Sequence, residues 1–228
     1  MTAVSTKTSL KYSNELTTLT TKELELLEDI AKFKKVKKRG RIFNVGNKKQ
    51  YVYLLAEGYV KLIFRSSKNK TLIKYVVQGD SLFGINVFTD DDISKETAEA
   101  ISDISYYEIP TNVFKKLVSG NQEFATHVLS LIVNRLHDLE IRLENLMFKS
   151  AKERIQHFIK RTGERKGIKI GVDECLINHG LSHQEIALFV DTSRQTVARV
   201  FAELKKDNII HFSPRKPRKI LIRSMIAL

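Results

Sequence analysis

The 228-residue chain has one cysteine, no tryptophan, three prolines and ten glycines. A single cysteine excludes a disulfide framework, and it excludes any metal site that needs several thiolates. So few prolines and glycines, with 42% hydrophobic residues, exclude a collagenous or low-complexity chain. The sequence has no apolar run near the roughly 18 residues of a membrane span and no signal-peptide core at its start. We therefore expect a cytoplasmic protein that does not enter a membrane.

What the chain does have is positive charge, and that charge is unevenly placed. The formal net charge is +13. Residues 150–228 carry 16 Lys and Arg against 8 Asp and Glu, so most of the excess lies in the last third of the chain. A second basic run, from Lys34 to Arg41, is predicted to be a solvated loop before a strand. A basic surface favours a nucleic-acid partner, although net charge alone is weak support.

The first half of the chain carries a β pattern. Runs rich in β-branched and aromatic residues occupy 51–55, 59–65 and 71–77. In the second run Val60, Leu62 and Phe64 alternate with more polar residues, which predicts a half-buried strand. Short strands joined by tight turns favour a compact barrel or jelly roll. A short amphipathic helix over 16–30, with Thr20 or Thr21 as its N-cap, is predicted to precede the strands.

A long helix follows the β region. Apolar residues recur at spacings of four and three at Ala125, Leu129, Ile132, Leu136, Leu139, Leu143 and Leu146. This heptad pattern predicts a parallel dimer seam, formed by Leu129, Ile132, Leu136, Leu139, Leu143 and Leu146. Arg135 and Glu140 have the offset of an ion pair across such a seam. The alternative is a helix packed on its own domain. We predict domains over 1–120 and 149–228, with the dimerisation helix over 121–148 and a helix break near 148–151.

Residues 181–210 have the pattern of a helix-turn-helix. Ser182 and Glu185 form a predicted capping box, and Ser193 can cap a second helix. That helix buries one face, made of Val197, Val200, Phe201 and Leu204. Its opposite face carries Arg194, Gln195 and Arg199, which are suited to base edges in a major groove.

A basic hairpin is predicted directly after this helix pair. Residues 209–223 have the pattern of strand, turn and strand, and the turn carries Arg215, Lys216, Arg218 and Lys219. We expect this wing to contact DNA phosphates. The sequence therefore predicts sequence-specific binding of double-stranded DNA.

Several motifs together resemble the Crp/Fnr family of bacterial transcription regulators. They are GDSLFG at 79–84, NLMFKSAKERI at 145–155, LSHQE at 181–185 and TSRQTVARV at 192–200. The resemblance implies an α+β protein with a cyclic-nucleotide-binding-like sensory β-barrel, a dimerisation helix and a C-terminal winged helix-turn-helix domain. It implies a homodimeric regulator with RNA polymerase as a further partner.

The resemblance also assigns residues on the DNA side. Arg194 and Arg199 match the family's base-reading arginines, whereas Gln195 replaces its usual glutamate. Residues at the start of the two helices match positions that meet the phosphate backbone, and these are Ser182, Gln184, Ser193 and Thr196, with His183 beside them. A carboxylate only accepts hydrogen bonds, whereas an amide also donates them. We therefore expect the half-site to differ from the usual family sequence at the base that Gln195 contacts.

The predicted effector pocket departs from the family's cyclic AMP site. It comprises Gly84, Ile85, Lys95, Glu96, Thr97, Arg135, Leu139 and Glu140. Ile85 stands where the resemblance implies a ribose-binding glutamate, and Glu96-Thr97 stands where it implies a phosphate-binding Arg-Ser pair. A glutamate facing a phosphate leaves no attraction to offset desolvation. Cyclic AMP is therefore disfavoured, and the effector is unknown.

The sequence predicts no cofactor and no enzyme activity. Cys175 is the only cysteine and lies outside the barrel, where it is expected to be a small buried side chain rather than a cluster ligand. No histidine precedes His127, which disfavours a haem or metal site on the strands. Two alternatives stay open, a ligand-binding module that acts through a protein partner and a non-specific architectural DNA protein. Effector-driven rotation about 147–152 and effector-free DNA binding also stay open.

Overall fold

The computed structural model describes residues 10–66, 70–178, 180–213, 219–225 and 227–228. The chain forms two compact units, residues 1–136 and 137–228. Within the described residues, the helices are α1 (Thr21–Ile30), α2 (Thr111–Gly120), α3 (Gln122–Phe148), α4 (Ala151–Lys166), α5 (His183–Val190) and α6 (Arg194–Lys206). None of these helices is long and apolar enough to cross a membrane.

The strands of the first unit are β1 (Lys32–Val36), β2 (Arg41–Phe43), β3 (Tyr51–Glu57), β4 (Tyr59–Arg65), β5 (Thr71–Gln78), β6 (Ser81–Phe83), β7 (Thr97–Ala100) and β8 (Ile104–Pro110). They form two four-stranded sheets in the orders β1-β8-β3-β6 and β2-β7-β4-β5. All of the pairings are antiparallel. The three β-rich runs of the sequence are therefore strands β3, β4 and β5.

Strand β3 shows how the two cores of the first unit are built. Tyr53 and Leu55 pack in a core that both sheets share. Val52 and Leu54 face the other way and pack in a second core with side chains of α1, α2 and the start of α3. Successive side chains of a strand point to opposite faces, so a strand covered on both faces is buried throughout. This arrangement confirms the predicted jelly-roll type of β domain.

Two local expectations for the first unit are wrong. Phe64 is 45% exposed, whereas Ile63 is 5% exposed. A register shift between Leu62 and Ile63 in the pairing with β5 exchanges the two faces of β4 at that point, as a bulge does. The basic run over 34–41 is also not simply a loop, because its first residues belong to β1, which pairs with β8.

The helix caps follow the sequence closely. Thr20 caps α1 in a capping box with Glu23, so the helix starts later than residue 16. Ser150 caps α4 in a capping box with Glu153, which ends the long run of helix at the predicted place. Helix α3 has 27 residues, and at about 1.5 Å per residue it is roughly 40 Å long.

The second unit combines helices α4, α5 and α6 with a small sheet. Its strands are β9 (Ile168–Lys169), β10 (Cys175–Ile177), β11 (Ile210–Phe212) and β12 (Ile220–Ile222), in the order β11-β12-β10-β9. Strands β11 and β12 are the predicted hairpin, whereas β9 and β10 were not predicted. Cys175 is buried in β10, and burial raises the pKa of its thiol. The expectation of a small buried side chain is confirmed.

Asp138 connects α3 with α4 inside the second unit. Its carboxylate accepts hydrogen bonds from the guanidinium groups of Arg161 and Arg165, the latter at 2.6 Å. Burial opposes ionisation of Asp138, but the two arginines outweigh it and lower the pKa of the carboxyl. The two charges on α4 thus hold the helix against the second half of α3.

Candidate nucleic-acid interface

Helix α6 is amphipathic in the way that the sequence predicts. The apolar residues of its inner face are all buried, and they are Val197, Val200, Phe201 and Leu204. Arg194, Gln195 and Arg199 are exposed on the remaining surface. Among the described residues, neither arginine has an ion-pair partner. The three side chains are therefore available for an outside partner, and two of them carry positive charge.

The start of α6 is held by its own side chains. Ser193 accepts a hydrogen bond from the backbone N–H of Thr196 at 3.0 Å, and the two hydroxyl groups lie 2.9 Å apart. A helix start concentrates free N–H groups and the positive end of the helix dipole. Ser193 and Thr196 therefore lie at the end of α6 that attracts an anion such as a phosphate.

Helix α5 begins with the predicted capping box. The Ser182 hydroxyl accepts a hydrogen bond from the backbone N–H of Glu185 at 3.3 Å, and the Glu185 carboxylate accepts one from the backbone N–H of Ser182 at 2.9 Å. Gln184 is exposed in the same turn. His183 lies edge-on against Phe201, with ring centroids 5.0 Å apart. This contact packs the first turn of α5 against the second half of α6.

Arg154 supports the turn between α5 and α6, and sequence reasoning did not assign it a role. Its guanidinium donates hydrogen bonds to the carbonyls of Val190 at 2.9 Å and of Asp191 at 2.8 Å, and to that of Lys149 at 2.8 Å. Asp191 has a φ of 54°, a left-handed conformation that a non-glycine residue adopts only with local support. Because arginine carries five donors in a fixed geometry, one side chain binds all three carbonyls. The only sequence signal was its place in the motif over 145–155.

The predicted wing is described only in part. Strands β11 and β12 pair in antiparallel fashion. At the end of the pair the backbone N–H of Lys219 donates to the Ser213 hydroxyl at 2.9 Å. Three of the four basic residues of the predicted turn, Arg215, Lys216 and Arg218, lie outside the described residues. Their contact with DNA stays a prediction.

The heptad residues of α3 form an uncovered apolar stripe. Leu129 is 59% exposed, Leu136 is 55% exposed and Leu143 is 61% exposed. Ile132 and Leu146 are also exposed, and Leu139 is partly exposed. Large apolar side chains exposed at regular helical spacing mark an interaction surface. The stripe is what a second copy of the helix would cover.

Arg135 lies beside this stripe but contacts its own unit. Its guanidinium donates a hydrogen bond to the Leu82 carbonyl and lies 5.9 Å from the centre of the Tyr75 ring. Burial lowers the pKa of Arg135 from its ordinary value. This placement competes with the predicted ion pair to a partner's Glu140. Glu140 itself is exposed and lies 3.7 Å from the His137 ring of the same chain.

An ion pair occupies the part of the predicted effector pocket that lies in the first unit. Glu96 is 5% exposed, and its carboxylate lies 3.1 Å from the ammonium group of Lys74. Lys95 points elsewhere and pairs with Asp91 at 2.6 Å. Sequence reasoning missed Lys74, because nothing in the strand pattern distinguishes it from a surface lysine.

The other predicted pocket residues are placed as follows. Ile85 is 7% exposed, and Gly84 before it has a φ of 72°. A Cβ on Gly84 would lie 2.9 Å from the Tyr53 ring, so a side chain there would clash. Thr97 begins β7 and is partly buried. Leu139 and Glu140 belong to the second unit. In the described part of the chain, no group of three or more His, Cys, Asp or Glu side chains is arranged to hold a metal ion.

Comparison with known proteins matches both units. Residues 33–121 match the cyclic nucleotide-binding domain, and residues 153–228 match the Crp-like helix-turn-helix domain. The anaerobic regulatory protein of Bacillus subtilis is 24% identical over 187 residues, which cover 82% of this chain and 78% of that protein. The cAMP-activated global transcriptional regulator CRP of Pasteurella multocida is 24% identical over 173 residues, which cover 75% and 82%.

A solved structure has the same fold over most of the chain. The structure of FixK2 from Bradyrhizobium japonicum matches with a TM-score of 0.75 and 21% identity, and the match covers 86% of this chain and 94% of that one. At this identity the likeness shows the fold alone.

Proposed function

This chain belongs to the Crp/Fnr family of bacterial transcription regulators, and we propose that it acts as a cytoplasmic homodimer that binds a near-palindromic DNA site. One observation carries the proposal. Helix α6 buries its apolar face and exposes Arg194, Gln195 and Arg199 together. A recognition helix enters the major groove with residues near its N-terminus against the base edges, and these three lie in the first two turns of α6.

The three exposed side chains are suited to different bases. An arginine donates two parallel hydrogen bonds to guanine O6 and N7, which makes Arg194 and Arg199 suited to guanines. The Gln195 amide both donates and accepts, so it pairs best with adenine N6 and N7. Phosphate contacts come from the helix starts and the wing, which are Ser182, His183, Gln184, Ser193, Thr196, Arg215, Lys216 and Arg218. Such contacts position the protein without reading sequence.

The exposed stripe on α3 supports the dimer. Pairing Leu129, Leu136 and Leu143 with the same residues of a second chain would remove their apolar surface from water. A two-fold dimer places two recognition helices in successive major grooves about 34 Å apart. RNA polymerase is the further partner that the family membership suggests.

The Lys74–Glu96 ion pair supports DNA binding without cyclic AMP. The carboxylate of Glu96 is buried, and it stands where the resemblance implies a phosphate-binding arginine. Lys74 already neutralises that carboxylate at 3.1 Å, so its charge is not free for a second anion. A nucleotide would have to break this pair and desolvate both charges, which costs several kcal/mol.

The test is site selection with the full-length protein, followed by gel shifts at physiological salt with and without cyclic AMP. We expect a near-palindrome that differs from the usual family half-site at one base pair, and an affinity that cyclic AMP does not change. The Gln195→Glu variant should shift the preference at that base pair towards cytosine, because a carboxylate accepts from cytosine N4.

Gln184→Glu is the matched control, because it makes the same change at a predicted backbone contact. It should weaken binding to all sequences alike. Binding without sequence preference would refute the proposal, and the unchanged family half-site would refute the role of Gln195.

A further inference from the structure

A cleft of about 500 Å³ opens in the first unit. Its walls come from β1, β3 and β8 of one sheet and from β2 and the loop after it on the other side. It shares no residue with the predicted pocket. Small-molecule sites in proteins have volumes of about 300 to 1,000 Å³, so the cleft has the size of a ligand site.

Strand register brings charged and aromatic side chains to one face of the sheet. Lys32 pairs with Glu108 across β1 and β8, and Tyr53 pairs with Glu108 across β3 and β8. Paired residues project from the same face, so these three side chains lie side by side. Lys34 is two residues after Lys32 and therefore projects from the same face. All four line the cleft.

The charge of the cleft is positive after its internal pairing is counted. Glu108 is buried, and its carboxylate lies 2.8 Å from the ammonium group of Lys34. Lys32 and Lys48 also line the cleft, and neither makes an ion pair or side-chain hydrogen bond within the described residues. Two ammonium groups are thus left over, which favours an occupant with one or two negative charges.

Tyr53 places a hydrogen-bond donor on the wall of the cleft. Its side chain is stacked between Phe43 and Phe83, with centroid distances of 5.3 and 5.0 Å. The residue is 7% exposed, yet in the described part of the chain its hydroxyl makes no hydrogen bond. The ring is buried, whereas the hydroxyl keeps access to the cleft and is open to a ligand. Burial raises the pKa of Tyr53, so the hydroxyl is protonated at neutral pH and can donate.

We propose that this cleft binds a small organic anion with a ring-sized apolar body. Lys32 and Lys48 bind its acidic group, and the Tyr53 hydroxyl donates a hydrogen bond to it. The apolar body lies against Ile42 and Phe43. The Glu108 carboxylate has spare lone pairs and accepts a hydrogen bond from a hydroxyl or amine of the ligand.

The direct test is calorimetric titration of the full-length protein, without DNA, with 4-hydroxybenzoate, benzoate and inorganic phosphate. We expect saturable binding in the order 4-hydroxybenzoate, benzoate, phosphate, from the tightest to the weakest. The order follows because benzoate lacks the donor for Glu108 and phosphate lacks the apolar body. Leaving out DNA makes the result independent of the proposed function.

Three variants and a matched control locate the site. Lys32→Gln and Lys48→Gln should each weaken the binding of 4-hydroxybenzoate by at least about fivefold, because each removes a charged hydrogen bond. Tyr53→Phe should weaken it as well, with the ring stack kept. Lys35→Gln makes the same charge change on the opposite face of β1 and should leave the affinity unchanged. Melting curves report whether each variant is folded.

Three results would overturn the proposal. One is the lack of saturable binding of any probe at millimolar concentration to the folded protein. The second is an equal loss of affinity in Lys35→Gln, which would indicate general charge attraction. The third is that inorganic phosphate competes with 4-hydroxybenzoate and binds as tightly. This result would mean that the apolar side chains of the cleft contribute nothing to binding.

Discussion

The sheets of the first unit and the exposed face of α6 differ in whether their charged side chains are paired. Inside the first unit, buried or partly buried carboxylates have a lysine beside them, at 2.8 Å for Lys61 and Glu99 and at 3.1 Å for Lys74 and Glu96. On α6 of the second unit, Arg194 and Arg199 are exposed and have no ion-pair partner within the described residues. A lysine that is paired with a buried carboxylate neutralises a charge inside the fold. An exposed arginine without such a partner is free to attract an anion from outside the protein.

The largest expected effect comes from the proposed dimer seam on α3, because two copies of α6 are needed to bind both half-sites of the DNA. Leu143→Glu places a carboxylate where two helices would meet, and its desolvation opposes pairing. We expect a monomer in sedimentation velocity and a loss of specific DNA affinity of about 4 kcal/mol or more, because one half-site is not enough. Asn134→Glu adds the same charge outside the seam and should remain a dimer. A dimeric Leu143→Glu protein with full affinity would contradict the seam.

The next effect separates base contacts from phosphate contacts. Arg199→Ala should cost about 1–3 kcal/mol on the selected site and relax the preference at one base pair. Lys216→Ala, in the predicted wing, should weaken all sequences alike and reduce the salt slope by about one. Gel shifts against single-base variants of the site, at several salt concentrations, measure both. If Arg199→Ala weakens every sequence equally, the exposed arginine contacts phosphate and not a base.

A smaller effect tests the internal pairing of the first unit. Glu96→Gln removes the ion pair with Lys74, and we expect the free energy of unfolding to fall by about 1 kcal/mol, since Lys74 is partly exposed and can turn towards water. Urea denaturation of the full-length protein measures the change. Glu25→Gln, on an exposed face of α1, is the control and should be neutral. Equal stability of the wild type and Glu96→Gln would mean that the pair contributes nothing.

The smallest effect concerns a histidine of the second unit. Burial, and then the charges of Lys149 and Arg161, lower the pKa of His157 from 6.5, against weaker opposition from two glutamates. The buried Asn145 amide lies 3.2 Å from its ring. The unfolded chain therefore binds a proton at a higher pH than the folded protein does. The contribution of neutral His157 to the free energy of unfolding is therefore present in full above about pH 6.5. It decreases as the pH falls towards the folded-state pKa.

Denaturation at pH 7.5 and at pH 5.5 measures this dependence. His157→Gln should reduce the difference in unfolding free energy between the two conditions. The exposed His137 serves as control, because His137→Gln should leave the difference as it is. An unchanged pH dependence in His157→Gln would show that other groups cause it.

Local sequence patterns predicted the elements that depend on neighbours in the chain. The N-cap at Thr20, the capping box at Ser182 and the buried face of α6 were all predicted from local spacing. That Thr20 also forms a capping box with Glu23 is a finding of the structure. The break between α3 and α4 lies where the sequence predicts it. Strands β9 and β10 were not predicted, because runs of two or three residues show no periodicity. These strands form through their pairing with each other and through the pairing of β10 with β12.

Long-range contacts account for the rest of what sequence reasoning missed. The bulge that exposes Phe64 depends on how β4 pairs with β5. Lys74 meets Glu96 across 22 residues, and Arg154 reaches carbonyls 36 and 37 residues away. Neither side chain differs in type or spacing from many surface residues. Only the folded chain distinguishes them.

The sequence by itself predicted the family of this protein and its candidate DNA-facing residues, because a helix-turn-helix is specified by caps, turn and amphipathic face within some thirty residues of chain. Only the tertiary structure decided which charged side chains of the first unit form ion pairs. Lys74 is paired inside the family's usual pocket, whereas Lys32, Lys48 and the Tyr53 hydroxyl are left over in another cleft. Pairing of charges depends on distance in space, and only the folded chain brings residues that are far apart in sequence within that distance.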